Sequence, residues 1–321
     1  MKNLRIVYMG TPEFAVAPLG SLLMNGYNVV SVVTAPDKPA GRGRVVKKSA
    51  VKVFAESNYL PILQPENLKN QVFIERLKRL NADVFIVVAF RMLPEVVWRI
   101  PQKGTFNLHA SLLPQYRGSA PINHAIINGE TATGVTTFVI DEKIDTGNIL
   151  LREEVPIFPF ENAGDLHDKL MKYGARLVIK TLEGIAEGSL KPQPQSNFMM
   201  PGEILKPAPK ILPENCIVTW NKKPHSIHNL VRGLSPYPCA RSYFKNEQRT
   251  LSYKIFESQP ENAEHQYEPG QVLSDGKKFL KIACRGGYIE IMNLQLEGKS
   301  RMSTEEFLRG FGIAEFSKII N

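Results

Sequence analysis

Asn107 and His109 stand two residues apart in Thr105-Phe106-Asn107-Leu108-His109, a run that reads as a buried strand. Side chains at i and i+2 of a strand share one face, about 6.6–6.8 Å apart along the chain. On such a face a carboxamide can donate to a developing oxyanion while an imidazole handles a proton. A carboxylate beside an imidazole favours its charged form and orients it. The cluster Asp141-Glu142-Lys143-Ile144-Asp145-Thr146-Gly147, after the apolar run Val135 to Ile140, offers one. Amide, imidazole and carboxylate together suit the tetrahedral intermediate of acyl transfer. No serine, cysteine or lysine is placed to serve as a protein nucleophile, so the attacking group would belong to a substrate. Taken alone, an N-x-H pair also reads as two satisfied polar groups at a strand end.

The elements that must position these groups alternate. Arg5 to Met9 is an apolar run closed by Gly10; Glu13 to Asn25 reads as a helix, Val29 to Val33 as a strand, Glu66 to Leu80 as a helix and Asp83 to Ala89 as a strand. Val135 to Ile140 and Leu150 to Val155 add strands, and Asp165 to Leu182 a long helix. Continuous apolar strands alternating with helices predict an α/β fold: a Rossmann-like, mostly parallel sheet with helices on both faces. Asn107 and His109 then lie at the carboxyl edge of that sheet, where ligands bind in open α/β folds.

The stretch Ser189 to Pro213 holds six prolines and little periodicity, and reads as an extended linker. Beyond it, short strands are expected at 240–244, 251–256, 271–273, 279–283 and 288–293, with Asp275-Gly276 and Gly286-Gly287 suiting tight hairpins. About five short strands with one helix predict a small OB-like β-barrel. The expected division is a catalytic α/β domain over 1–189, a linker over 190–210 and a barrel over 211–321.

Lys and Arg number 40 against 31 Asp and Glu, a net charge of +9, which is compatible with a nucleic-acid partner or with solubility alone. No apolar run approaches the roughly 18 residues of a membrane span, and no export signal is visible at the start. Three scattered cysteines, with no CxxC pair, fit a reducing compartment and argue against a thiolate zinc site. The expectation is a cytoplasmic monomer. Gly10-Thr11-Pro12-Glu13 lacks the three glycines of a dinucleotide fingerprint, and 41–49 lacks the second glycine of a phosphate loop. Asp141 to Gly147 has Lys143 and Thr146 where a calcium loop needs an oxygen ligand and a glycine. His225 and His228 have no acidic or cysteine partner close in sequence, so no metal is expected.

The string Asn107-Leu-His109-Ala-Ser-Leu-Leu-Pro114-Gln-Tyr-Arg117-Gly118, with Asp145-Thr-Gly147 downstream, closely resembles the folate-dependent formyltransferases. That resemblance implies 10-formyltetrahydrofolate as the co-substrate and an amine as acceptor. It implies Asn107 as oxyanion donor, His109 as the group that polarises the formyl carbonyl and manages the proton, and Asp145 as the partner of His109. Ser111, Leu112, Leu113 and Pro114, with Phe90, Arg91, Leu93 and Asp141, would wall the folate pocket.

Pro39-Ala40-Gly41-Arg42-Gly43 resembles the inserted loop of those family members that formylate initiator methionyl-tRNA, with Arg42 matching the loop arginine. Lys38, Arg42, Arg44, Lys47 and Lys48 sit in a segment, 34–49, with no obvious helix or strand. Such loops inside a compact domain are usually functional or disordered. Gly10-Thr-Pro-Glu-Phe14, Ala208-Pro-Lys210-Ile211 and Arg232-Gly-Leu-Ser-Pro236-Tyr-Pro238 extend the resemblance along the chain. Lys210 and Arg232 join the expected tRNA contacts. Departures from the family pattern are Arg91, where a glycine is common, Thr219 before Trp220, and Tyr237 and Cys239. The competing readings are a formyltransferase for a sugar-nucleotide or ribonucleotide amine, and a non-catalytic RNA-binding protein.

Overall fold

Short runs of Val, Ile, Phe and Tyr become the middle of a sheet because only a layer covered on both faces can bury every side chain of a strand. Strand β1 (Arg5–Gly10) is buried from Ile6 onward, and β6 (Val84–Val88) is buried throughout. In the computed structural model, which describes residues 3–40, 45–245, 250–313 and 318–320, these two pair in parallel. Around them run β2 (Asn28–Val33), β5 (Ile62–Leu63), β7 (Thr105–His109), β8 (Ala132–Val139) and β9 (Ile149–Pro156). The sheet order is β5-β2-β1-β6-β7-β8-β9, parallel as far as β7 and antiparallel between β7 and β8.

One face is packed by α3 (Gln71–Arg79), whose Phe73, Ile74 and Leu77 meet Val7, Met9, Phe85 and Val87. The helix starts later than the hydrophobic pattern predicts. Asn67 and Asn70 capture backbone amides first, and the Asn70 side chain accepts from the Phe73 amide at 3.2 Å as N-cap. Basic Arg76, Lys78 and Arg79 complement its carboxyl end. On the other face α6 (Ala163–Glu187) approaches β7 closely, since a Cβ at Gly174 would lie 2.7 Å from Leu108 Cδ2. The first helical stretch is divided, a 3-10 turn at Glu13–Ala15 leading into α1 (Val16–Met24).

The described part of the basic segment holds regular structure that its composition does not predict. Strands β3 (Lys38–Ala40) and β4 (Val45–Lys47) form a two-stranded ladder in which Lys38 pairs with Lys47. Gly41, Arg42, Gly43 and Arg44 lie outside the described residues. The segment runs on into α2 (Ala50–Ser57), capped by Ser49. Helix α4 (Glu95–Trp98) follows β6, and α5 (Pro121–Ile127) lies in the second of the two units described next.

The chain divides into two units. The first holds Met1–Gly118, Thr133–Pro156 and His167–Ala208; the second holds Ser119–Ala132, Ile157–Leu166 and Pro209–Asn321. The proline-rich stretch is bound along the first unit rather than free: Ile149 and Gln193 exchange amide-to-carbonyl bonds of 2.8 Å, and the Ala208 amide donates to the Arg117 carbonyl at 2.8 Å. In the second unit β10 (Ala240–Lys245), β11 (Thr250–Asn262), β12 (Val272–Ser274), β13 (Leu280–Cys284), β14 (Gly287–Leu296), β15 (Met302–Ser303) and β16 (Lys318–Ile320) make an antiparallel half-barrel. Helices α7 (Pro224–Leu234) and α8 (Thr304–Gly310) contribute Ile227, Val231 and Phe307 to its core. Phe244 stacks on Tyr253 there at 4.1 Å, beside fully buried Trp220. Each such side chain contributes about 1.5–3 kcal/mol by leaving water.

Candidate active site

Strand register decides which way the two motif side chains of β7 point. Asn107 lies opposite Val87 on one side and Phe138 on the other, and His109 lies opposite Thr136. Paired residues share a face, so Asn107 and His109 project together at the carboxyl end of β7, away from Leu108. Beyond that end the backbone turns sharply. Ala89 (φ 47°), Tyr116 (φ 60°) and Asp145 (φ 56°) all adopt left-handed conformations unusual for residues with a Cβ. Such outliers cluster where surrounding structure must hold a functional geometry.

The His109 imidazole is 7% exposed and the Asp145 carboxylate 13%. Nδ1 of His109 lies 3.7 Å from Asp145 Oδ2, an ion-pair separation but longer than a hydrogen bond. Nε2 lies 2.8 Å from the Tyr116 carbonyl, which can only accept, so Nε2 is the donor in this contact. Tyr116 was not anticipated as a partner; its role depends on a backbone conformation that no residue type announces. The Asp145 carboxylate is itself fixed, accepting from the Gly118 amide at 2.9 Å. The Asn107 carboxamide is half-buried and has no hydrogen-bond partner among the described residues.

The turn after β7 is braced from inside. Thr136 Oγ1 donates to the Ser111 carbonyl at 2.6 Å and accepts from the Leu113 amide at 3.2 Å. Ser111 Oγ donates to the Gln115 carbonyl at 2.7 Å, and the Leu113–Pro114 peptide is cis. Ser111, Leu113 and Pro114 are therefore buried supports of the turn, and Leu112 is the half-exposed member. Leu93, expected on a pocket wall, is a core residue among Val87 and Val97. Phe90 is half-buried with the Arg91 guanidinium 5.3 Å from its ring centroid. Arg91 donates to the carbonyls of Pro65 at 2.7 Å and Glu66 at 3.0 Å, tying the loop after β6 to the loop after β5. Burial pushes its pKa below the ordinary guanidinium value. Asp141 accepts from Thr146 Oγ1 at 2.8 Å and from the Lys143 amide at 3.0 Å, closing its own loop.

A buried amide that was not anticipated joins these parts. Gln195 is 5% exposed, accepts from Arg117 Nε and Nη2, and donates to the carbonyls of Asp145 and Gly147.

Of the expected tRNA contacts, Lys38, Lys47 and Lys48 are exposed. Lys48 pairs with Glu56 at 2.8 Å. The base of the β3–β4 ladder is anchored by Asp37, whose carboxylate accepts from Lys52 at 2.5 Å and Gln64 at 2.9 Å; those two bonds hold its pKa below the usual range. Arg42 and Arg44 lie outside the described residues. In the second unit Lys210 is exposed, whereas Arg232 turns inward, donating to Asn229 Oδ1 at 3.0 Å and to the carbonyls of Phe158 and Glu161. Its guanidinium braces the loop before α6.

Comparison with known proteins places two family matches on the chain: formyl transferase over residues 3–182, and formyl transferase, C-terminal domain, over residues 210–312. A methionyl-tRNA formyltransferase of Bacteroides fragilis is 52% identical over 319 residues, covering 99% of this chain and 98% of that protein. One of Flavobacterium johnsoniae is 53% identical over 319 residues, covering 99% of this chain and all of the other. Among solved structures, HypX from Aquifex aeolicus in complex with tetrahydrofolic acid matches with a TM-score of 0.63 at 19% identity, over 95% of this chain and 47% of that one. An N-formyltransferase from Helicobacter canadensis, in complex with folinic acid and dTDP-3-aminofucose, matches with a TM-score of 0.62 at 22% identity, over 90% of this chain and 98% of that one. At those identities the two structures bear on the fold alone.

Proposed function

The chain belongs to the formyl transferase family, and on that premise we infer that it moves the formyl group of 10-formyltetrahydrofolate to the methionine amine of initiator methionyl-tRNA. Relatives 50–53% identical over nearly the whole chain are named methionyl-tRNA formyltransferase. For the chemistry, the reading rests on one observation: Asn107 and His109 share the carboxyl-end face of β7, with the Asp145 carboxylate 3.7 Å from the imidazole.

The neutral amine attacks the formyl carbon, and the carbonyl electron pair moves to oxygen. The Asn107 amide, without a hydrogen-bond partner among the described residues, donates to that oxyanion. His109 donates from Nε2 to the Tyr116 carbonyl, and in the neutral ring Nδ1 takes the proton the amine loses. Asp145 then faces an imidazolium, which its charge stabilises. Collapse of the intermediate breaks the bond from carbon to N10, that nitrogen takes the proton from His109, and tetrahydrofolate leaves. Stabilising the oxyanion is the largest contribution: removing one donor in comparable sites lowers kcat by about 10²–10³-fold.

The Ser111–Pro114 turn, Phe90 with Arg91, and the Asp141–Asp145 loop border the donor. The exposed Lys38, Lys47 and Lys48, together with Arg42, Arg44 and Lys210, supply phosphate contacts. Arg232 enters this set only as a brace.

The test compares formylation of charged initiator tRNA with that of an amino-sugar nucleotide and a ribonucleotide amine, at several salt concentrations. Selective formylation of the tRNA, with an apparent affinity that falls steeply with salt, is expected. Preference for either small amine, or insensitivity to salt, contradicts the assignment.

A further inference from the structure

We propose that Gln195 is a positioning residue for formyl transfer, acting through Asp145 from a segment whose sequence reads only as linker. The inference rests on the reading of Asp145 as the carboxylate that serves His109.

The Gln195 carboxamide uses every bond it can make. Its Oε1 accepts from Arg117 Nε at 3.1 Å and Nη2 at 2.7 Å, and its Nε2 donates to the carbonyls of Asp145 and Gly147, each at 2.9 Å. One end of this staple lies on the turn after β7, between Tyr116, whose carbonyl holds His109, and Gly118, whose amide holds Asp145. The other end grips the loop that carries Asp145 itself. Asp145 is left-handed, and Gly147 is pressed so closely on β8 that a Cβ there would overlap the Val139 carbonyl at 1.7 Å. A loop in that conformation keeps its shape only when neighbouring bonds over-determine it. Gln195 makes two of those bonds, and the adjacent Gln193–Ile149 pairing holds the segment that presents it.

The chemistry requires an amide at this position. Glutamate has the same shape and would pair more strongly with Arg117, but its carboxylate would confront two carbonyls that need donors. Gln195→Glu therefore keeps, or strengthens, the attachment to Arg117 while pushing the Asp145 loop away. A role limited to fastening the segment predicts little harm from that change; a role in placing Asp145 predicts a slower chemical step.

The experiment measures single-turnover formylation of charged initiator tRNA by the full chain, as wild type, Q195E, D145N and the double variant. Q195E should lose about 10²-fold in rate, the scale of an ångström of misplacement at a reacting group, with KM for tRNA unchanged. The double variant should be no slower than D145N, because Gln195 acts through the carboxylate already removed. A wild-type rate for Q195E overturns the proposal, as does a double variant whose losses multiply. If Q195E does not fold, R117K carries the same criterion: a reduced rate that vanishes as an effect in the D145N background, against a wild-type rate that overturns the proposal. D145N separates the two readings. Normal turnover by D145N sinks the site assignment itself, whereas a slow D145N beside a normal Q195E sinks only the role of Gln195.

Discussion

Replacing Asn107 by alanine should separate chemistry from folding more cleanly than any other change in the site. The carboxamide is half-exposed and has no hydrogen-bond partner among the described residues, so truncation orphans no protein group. The backbone of β7 keeps its pairing with β6 and β8, which does not involve the side chain. Surface changes of this kind usually alter stability by less than about 0.5 kcal/mol. For domains of this size that is a shift of about 1–2 °C in Tm. The catalytic loss is expected to be about 10²–10³-fold in kcat, or about 2.7–4 kcal/mol of transition-state stabilisation. Asn107→Asp should be worse than Asn107→Ala, because it aims a negative charge at the developing oxyanion. The assay is single-turnover formylation with enzyme in excess over charged tRNA, alongside thermal melting and a tRNA-binding titration. A kcat within a few fold of wild type would show that Asn107 does not hold the oxyanion. A loss accompanied by a fall in Tm of many degrees would mean instead that the amide holds the fold.

Two further outcomes follow from groups deeper in each unit. Thr136→Val, which preserves shape, strands the Ser111 carbonyl and the Leu113 amide in a buried turn; it should cost about 2–4 kcal/mol and weaken binding of a reduced folate while sparing tRNA binding, as melting and folate titration would reveal. His228 is pushed down to about 4, chiefly by burial and then by Arg232 and His225, from an ordinary value of 6.5. Its unfolded form binds a proton first, so the stability it contributes is present above pH 6.5 and is lost as pH falls toward 4. Urea midpoints followed by Trp220 fluorescence in a Trp98→Phe background should fall across that window, and His228→Asn should flatten part of the slope; an unchanged slope would show that burial of this imidazole is irrelevant.

In the first sheet β1, β2 and β6 were legible because buried parallel strands have no alternative to being apolar along their length, whereas β5, only two residues long, was too short to show a pattern. Asn107 and His109 stood out for the same reason, as polar groups where burial predicts none. Helix α5 escaped the pattern reading, and the one helix expected with the barrel was given no bounds, although Pro121 and Pro224, each in the first turn, gave a usable start signal. Ser49 likewise marked the start of α2, by capping the Lys52 amide at 3.0 Å. Other features could not be read locally. Tyr116 holds His109 through a backbone carbonyl aimed by a left-handed residue. Gln195 lies in a proline-rich stretch without periodicity, and its partners are 48 to 78 residues away in sequence. The inward turn of Arg232 also depends on distant carbonyls, of Phe158 and Glu161. Composition identifies a charge, but only packing decides whether its donors face solvent or the chain.

The most direct measurement is a crystal structure of the protein with a reduced folate bound. The pteridine should be bordered by the Ser111–Pro114 turn and Phe90, with N10 directed to the space between the Asn107 amide and Nδ1 of His109. A folate bound away from the carboxyl end of β7, or one that leaves Asn107 and His109 beyond bonding reach of its formyl-bearing nitrogen, would contradict the roles assigned to those two residues.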